Sequence, residues 1–228
     1  MNPLSKPLRP AEHAESQLLD AILSNRFPPG NCLPAERVLA ESLGVTRPTL
    51  REALQRLSRE GWITIRHGKP SLVNDYLNTG GLGLLCSMVR HANELSHEMI
   101  GHLLEVRSAF FPGIAALAVE RDSQALLRYL ENHPIESDDP GVFSAFDWGL
   151  QVIMVTLTEN PFFKVIINDF SPMYREIGRR YFEIKAGRHQ SCTYYAKLAH
   201  AVENDQRSVP EIVKQAMKAA TITWEQEA

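Results

Sequence analysis

The sequence predicts a mainly α-helical protein built in two parts. An N-terminal winged helix-turn-helix, with three helices and a short β-hairpin, is joined to a C-terminal antiparallel bundle of about six or seven helices. Three observations carry this reading. Apolar residues recur at steps of three and four along most of the chain. Alternation of apolar and polar residues around a Gly/Pro turn occurs at 62–73. The stretch NDYLNTGGLG at 74–83 has the Gly/Asn/Asp composition of a connector. The expected division is therefore residues 1–75, a linker at 76–83, and residues 84–228. A chain of 228 residues that is 44% hydrophobic can bury two cores.

In the front part, Ala14, Leu18, Leu19 and Ile22 mark one face of a helix over 11–25, closed by FPPG. A second helix is expected from Leu33, with Pro34 in its first turn, to Gly44. Thr46 can cap the next helix, Pro48 fits its first turn, and Leu50, Ala53, Leu54 and Leu57 form its inward stripe. Arg47, Thr49, Arg51, Gln55 and Arg59 then face outward or forward. Trp62–Ile65 and Ser71–Val73 flank the turn His67-Gly68-Lys69-Pro70 as a wing.

Overall charge is −3, but the sign is uneven. Lys plus Arg against Asp plus Glu is 10 to 8 over residues 1–75 and 14 to 19 over the remainder. Six of the front cations fall within 47–69, which points to an anionic partner at one place. A helix-turn-helix enters the DNA major groove with the N-terminus of its second helix. Arg47 and Arg51, one turn apart, can reach phosphates or the O6 and N7 edge of guanine. Thr46 and Thr49 can add phosphate or base contacts. Arg37, His67, Gly68 and Lys69 can lie over the backbone and the neighbouring minor groove. Arg56 and Arg59, further from the tip, read as surface or phosphate residues.

The opening MNPLSKPLRP is unlike a secretory signal, and no later stretch reads as both uncharged and long enough to cross a bilayer, so a cytoplasmic protein is expected. Cys32, Cys86 and Cys192 are scattered without metal-ligand spacing and read as reduced packing residues.

In the rear part, helices are expected near 84–92, 96–120 with a bend or break at Pro112, 122–131, 140–158, 161–183 with a kink at Pro172, 189–204 and 208–226. The informative positions are polar residues on apolar stripes. Arg107 shares a face with Ile100, Leu103 and Leu104, and Asp147 lies among Phe143, Phe146, Leu150 and Met154. A buried charge needs a partner, so Arg107 either pairs with Asp147 or awaits an anionic ligand. Tyr174, Gly178 and Tyr181 occupy successive turns, the glycine leaving a hollow between two phenols. Met217, Ala220, Thr221 and Trp224 repeat the alternation of small and large. Together these suggest either close packing or an apolar pocket with a few polar groups at its mouth.

The segment LPAERVLAESLGVTRPTLREALQRLSREGWITIRHGKPSLV resembles the winged helix of the GntR family of transcription regulators. NRFPPG, GVTR, TLRE, LQRL and HGKP, with LLEVRS, ENPFF, MYREIGRRYF and a late TW in the rear part, are similar to its FadR type, the regulators of fatty acid metabolism. The resemblance implies DNA contacts at Arg37, Thr46, Arg47, Thr49, Arg51, His67, Gly68 and Lys69. It implies a homodimer, hence a pseudo-palindromic operator, and an effector, long-chain acyl-CoA, that binds the rear domain and releases the DNA. The implied ligand contacts are Leu103, Leu104, Arg107, Tyr174, Tyr181 and Trp224. Pro48 stands where the best-known member has threonine and is not carried over, while Gln151, Met217 and Ala220 depart from that member's ligand site.

Three other readings compete. A regulator of this family could answer a different small carboxylate or acyl effector, since many relatives hold a metal with Asp-x3-His and two later histidines. The matching places here are Asp147, Gln151, Tyr195 and Ala220, and one carboxylate does not hold zinc, so no metal or cofactor is expected. His189 and His200 read as surface or packing residues. An enzyme is not expected, because GxSxG, HExxH and a phosphate-cradling glycine loop do not occur; hydrolysis of acyl-CoA is the form an enzyme reading would take. A DNA-architectural protein indifferent to small molecules would leave the large helical domain without a use.

Overall fold

A computed structural model describes residues 9–66, 68–91, 95–136 and 138–226, without the side chains of Pro172, Arg175 and Glu176. Contacts divide it into a unit ending at Leu95 and a unit beginning at Ser96.

The first unit holds α1 (Pro10–Leu23), α2 (Glu36–Ser42), α3 (Arg47–Glu60), the antiparallel pair β1 (Ile63–Thr64) and β2 (Leu72–Val73), a one-turn α4 (Tyr76–Thr79) and α5 (Leu82–Arg90). The expected stripe of α3 is buried, with Leu50, Ala53, Leu54 and Leu57 all at 3% exposure or less. Thr46 caps this helix, its hydroxyl accepting from the Thr49 amide at 3.3 Å, and Pro48 lies in the first turn. Gly61 ends it at φ +96°, a left-handed conformation that costs a glycine nothing.

Two expectations need correction here. Helix α2 begins at Glu36 rather than at Leu33, so Pro34 precedes the helix instead of occupying its first turn. The reason is a distant partner. The Leu33 amide donates to Ser71 O at 2.8 Å and Cys32 bridges Leu72, so this segment runs beside β2 as an extension of the wing. Cys32 is accordingly exposed rather than a packing residue.

Residues 76–83, expected as a linker, instead contain α4 and the start of α5. Tyr76 packs on Trp62 with ring centroids 5.0 Å apart, and the Trp62 Nε1–H donates to Ser87 Oγ at 2.8 Å. Glu60 accepts from Ser87 and, at 2.8 Å, from Arg90. The helix expected to open the rear bundle therefore packs on α3, and the packing boundary falls later than the composition suggests.

A second buried charge cluster ties α1 to α3 and α5. Glu15 lies 3.2 Å from Arg56 Nη1 and 3.6 Å from His91 Nε2, and its side chain is 8% exposed. Burial alone would raise its pKa, but His91 and Arg56 outweigh burial and hold the carboxyl below its ordinary 4.5. A lowered native pKa gives stability that is present above the unfolded value and lost as pH falls through the native one. Urea titrations should show the first unit losing stability as pH drops below 4.5. A Glu15→Gln variant should be less stable at neutral pH and flatter across that acid range.

The second unit holds α6 (His97–Leu130), α7 (Pro140–Leu157), α8 (Pro161–Glu183), α9 (Lys185–Asn204), a 3₁₀ turn (Gln206–Ser208) and α10 (Val209–Gln226). Helix α6 runs through Pro112 and breaks at Asp122 (φ −153°, ψ 81°), whose Oδ1 caps Ala125 N at 2.9 Å. The two expected helices at 96–120 and 122–131 thus meet at a capped joint, and the bundle has six helical segments among the described residues. Its core draws Ala115 and Leu126 from α6, Phe143 and Leu150 from α7, Phe182 from α8 and Leu198 from α9. Helices α6 and α7 are long and apolar enough on average to cross a membrane, but neither is uncharged over such a length: α6 carries Glu105 and Arg107, and α7 carries Asp147. Their fully buried side chains, however, are spent on this core.

Candidate nucleic-acid interface and effector site

The basic tip of α3 projects as its sequence requires. Arg47 and Arg51 have side chains 57% and 59% exposed, and Arg37 on α2 is 69% exposed. Thr46 is exposed and Thr49 half-buried, their hydroxyls 2.8 Å apart. All four α3-tip residues thus lie at one helix N-terminus, whose unpaired N–H groups also favour phosphate.

None of the cations is idle. Arg51 Nε donates to Glu36 Oε2 at 2.8 Å, the same carboxylate oxygen lies 3.8 Å from Arg47 Nη2, and Arg37 pairs with Glu41 at 2.8 Å. Arg56 is held by Glu15 and Glu52, and Arg59 Nε by Gln55 O, which sets both apart from the tip.

At the wing, Gly68 adopts φ +70° and is exposed, as is Lys69, while Arg66 grips Pro70 O with Nε and Nη2 and so fixes the turn. His67, the remaining expected contact, lies outside the described residues.

In the second unit a carboxylate organises the site. Asp147 Oδ2 accepts from the Tyr174 hydroxyl and, at 2.9 Å, from Gln151 Nε2; Oδ1 accepts from the Tyr195 hydroxyl at 2.9 Å. Three residues that match the metal-ligand positions of other family members therefore do converge, but as two donors on one acceptor. Arg107 does not form the alternative ion pair with Asp147, whose oxygens are taken by neutral donors. Its Nε is buried without a hydrogen-bond partner.

Burial, reinforced by Asp147 and opposed by Arg107, pushes the Tyr174 phenol well above its usual range. Tyr181 is raised to about 12, first by burial, with Arg107 opposing and Asp147 adding. Tyr194 and Tyr195 are raised the same way, by burial first and Asp147 next. All four remain hydrogen-bond donors at neutral pH.

The hollow expected over Gly178 is not open. A Cβ there would lie 2.9 Å from Tyr174 Cε1 and 3.2 Å from Ser144 Oγ, so the glycine makes room for the Tyr174 ring itself. Gly187 does the same for Tyr181, whose Cζ would stand 3.0 Å from such a Cβ.

Leu103 and Leu104 are buried on α6, at 7% and 8% exposure. Trp224 stacks on His97, with centroids 4.7 Å apart and planes within 7°, and Arg180 lies 5.4 Å over its ring. Trp224, His97 and Arg180 line an open groove of about 440 Å³ with Glu183, Ile184 and Lys185; of the six expected effector contacts, Trp224 alone is in that lining. His97 was not expected at the site, and its sole signal was a position one turn before Gly101 and two turns before Leu104. His189, exposed and 3.2 Å from Glu136, and His200, exposed beside Asn204, take no part.

Residues 10–73 match the family model of bacterial regulatory proteins of the gntR family, and residues 74–228 match that of the FadR C-terminal domain. The chain belongs to the FadR-type branch of the GntR family. It is 36% identical to the fatty acid metabolism regulator protein of Proteus mirabilis over 220 residues, covering 96% of this chain and 92% of that one. It is 38% identical to the corresponding Yersinia pestis protein over 194 residues, covering 85% and 81%. A solved structure of Lar, which controls expression of the Listeria monocytogenes agr system, superposes with a TM-score of 0.63 at 16% identity, covering 97% and 99%, and so shares the fold. As a FadR-type member the chain is a DNA-binding regulatory protein and not an enzyme. The winged helix-turn-helix followed by a helical bundle is the architecture expected of it.

Proposed function

We propose that this FadR-type regulator controls genes of fatty acid metabolism from the cytoplasm. It binds a pseudo-palindromic operator as a homodimer and leaves it when long-chain acyl-CoA enters the helical bundle. Arg37, Thr46, Arg47, Thr49, Arg51, His67, Gly68 and Lys69 contact the DNA. Leu103, Leu104, Arg107, Tyr174, Tyr181 and Trp224 receive the effector.

The observation that carries the effector reading is the buried, unpartnered Nε of Arg107, a cationic donor set beside the neutral phenols of Tyr174 and Tyr181. Such a group favours a ligand offering acceptor oxygens in an otherwise apolar setting, as an acyl thioester does. Arg180 and Lys185 beside Trp224 suit the phosphates at the other end of such a molecule. The names of the relatives support the metabolic assignment.

The test is an anisotropy titration of the full-length protein on a palindromic duplex bound by FadR-type relatives, with oleoyl-CoA, free oleate or a small dicarboxylate added. Oleoyl-CoA should weaken binding by roughly 5- to 150-fold, the span of a coupling of about 1–3 kcal/mol. Oleate and the dicarboxylate should do little. An unchanged affinity with oleoyl-CoA, or release by the dicarboxylate, overturns the proposal.

A further inference from the structure

The three guanidinium groups that face outward near the tip of α3 are each engaged by an acidic residue of α2, and one acid engages two of them. Glu36 Oε2 accepts from Arg51 Nε at 2.8 Å and stands 3.8 Å from Arg47 Nη2. A carboxylate on a surface that must meet a polyanion is costly in itself, because it repels phosphate and cancels part of the charge that drives sequence-independent binding. Glu36 is also only half-buried, at 36% side-chain exposure, so it is not retained for packing alone.

We infer that Glu36 is a positioning residue that sets the ratio of operator to non-operator binding. Two effects with one origin lead there. The bond to Arg51 uses Nε and leaves the two terminal NH₂ groups, the edge that pairs with guanine O6 and N7, pointing onward from a braced guanidinium. Bracing removes part of the rotamer entropy that binding would otherwise cost, so operator affinity gains. On a non-cognate duplex no base edge matches the braced fork, and the gain is limited to phosphate attraction, which the carboxylate partly cancels. Discrimination therefore rises because the wrong DNA is disfavoured as well as the right one favoured.

This inference rests on the assignment of Arg47 and Arg51 as DNA contacts, and the experiment separates the two. Full-length wild type, Glu36→Gln, Glu36→Asp and Arg51→Ala are titrated by anisotropy against the duplex used above and against a scrambled duplex of equal length and composition, over a KCl series. Glu36→Gln should bind scrambled DNA about fivefold tighter, as expected for freeing exposed cations from an ion pair. Its salt dependence on that duplex should steepen by up to about one in log–log slope, one additional phosphate contact. Affinity for the operator duplex should hold or fall, so the ratio drops. Glu36→Asp keeps the charge but is one methylene too short to reach Arg51 Nε, so it should weaken operator binding while leaving scrambled-DNA binding as in wild type.

An unchanged ratio and slope for a folded Glu36→Gln protein, with Arg51→Ala abolishing operator binding, overturns the inference while sparing the contact assignment. Undiminished operator binding by Arg51→Ala overturns the assignment, and the inference with it.

Discussion

Arg51→Ala and Arg47→Ala should each remove selective operator binding while leaving the fold and the effector site as they are. Both side chains are more than half exposed and pack against nothing in the core, so truncation removes no buried apolar area. What is lost is a charged fork. A well-aligned arginine at a guanine edge contributes about 1–3 kcal/mol of discrimination, and a homodimer loses it twice. The specificity ratio should fall by about two orders of magnitude or more on the two-contact estimate of that range. Residual binding should resemble the scrambled duplex and keep a strong salt dependence, because the wing and helix N-terminus still meet phosphate. Melting temperature should stay within about 2 °C of wild type, since surface changes of this kind move stability by about ±0.5 kcal/mol. An operator affinity unchanged by both substitutions would place the contact elsewhere.

Much of this interface was legible because its determinants are local. Thr46, Pro48, the four-residue apolar stripe and Gly61 define α3 within sixteen residues of chain, and every one of those signals acts over a single turn. The start of α2 was not legible for the opposite reason. Pro34 is well placed to open a helix, but Leu33 N–H is claimed by Ser71 O, thirty-eight residues on, and a strand-like pairing took precedence over local propensity. The same holds for 76–90. Its Gly/Asn composition reads as a connector, and only the unsatisfied indole of Trp62 and the carboxylate of Glu60 on α3 explain why Ser87 and Arg90 are drawn onto that helix. In the rear unit, periodicity located the helices, whereas the pairing of their polar residues depended on geometry that periodicity does not carry. Asp147 and Arg107 each stood out as charges on apolar stripes, and the pattern offered their mutual ion pair as one solution. The structure takes another, because four tyrosines from α8 and α9 and an amide one turn along α7 crowd the same space.

The second large effect belongs to that carboxylate. Asp147→Ala removes the acceptor shared by the Tyr174 and Tyr195 hydroxyls and the Gln151 amide, and leaves all three donors in a setting where Tyr195 is fully buried and Gln151 and Tyr174 nearly so. Each buried donor without a partner costs about 1–3 kcal/mol, so the unit should lose about 3–5 kcal/mol after partial relaxation. For a unit of this size that corresponds to a fall of roughly 6–20 °C in melting temperature. Tyr174→Phe is the informative contrast. It removes one donor but keeps the ring that covers Gly178, and should cost about 1 kcal/mol. Trp148 reports on both variants, since its ring lies 5.0 Å from Tyr174 in the same cluster. Its fluorescence should change with Asp147→Ala, where the phenol loses its anchor, and remain near wild type with Tyr174→Phe. The transition of the first unit should be untouched in either variant. If Asp147→Ala melts with the wild type, the phenols are held by packing rather than by the carboxylate.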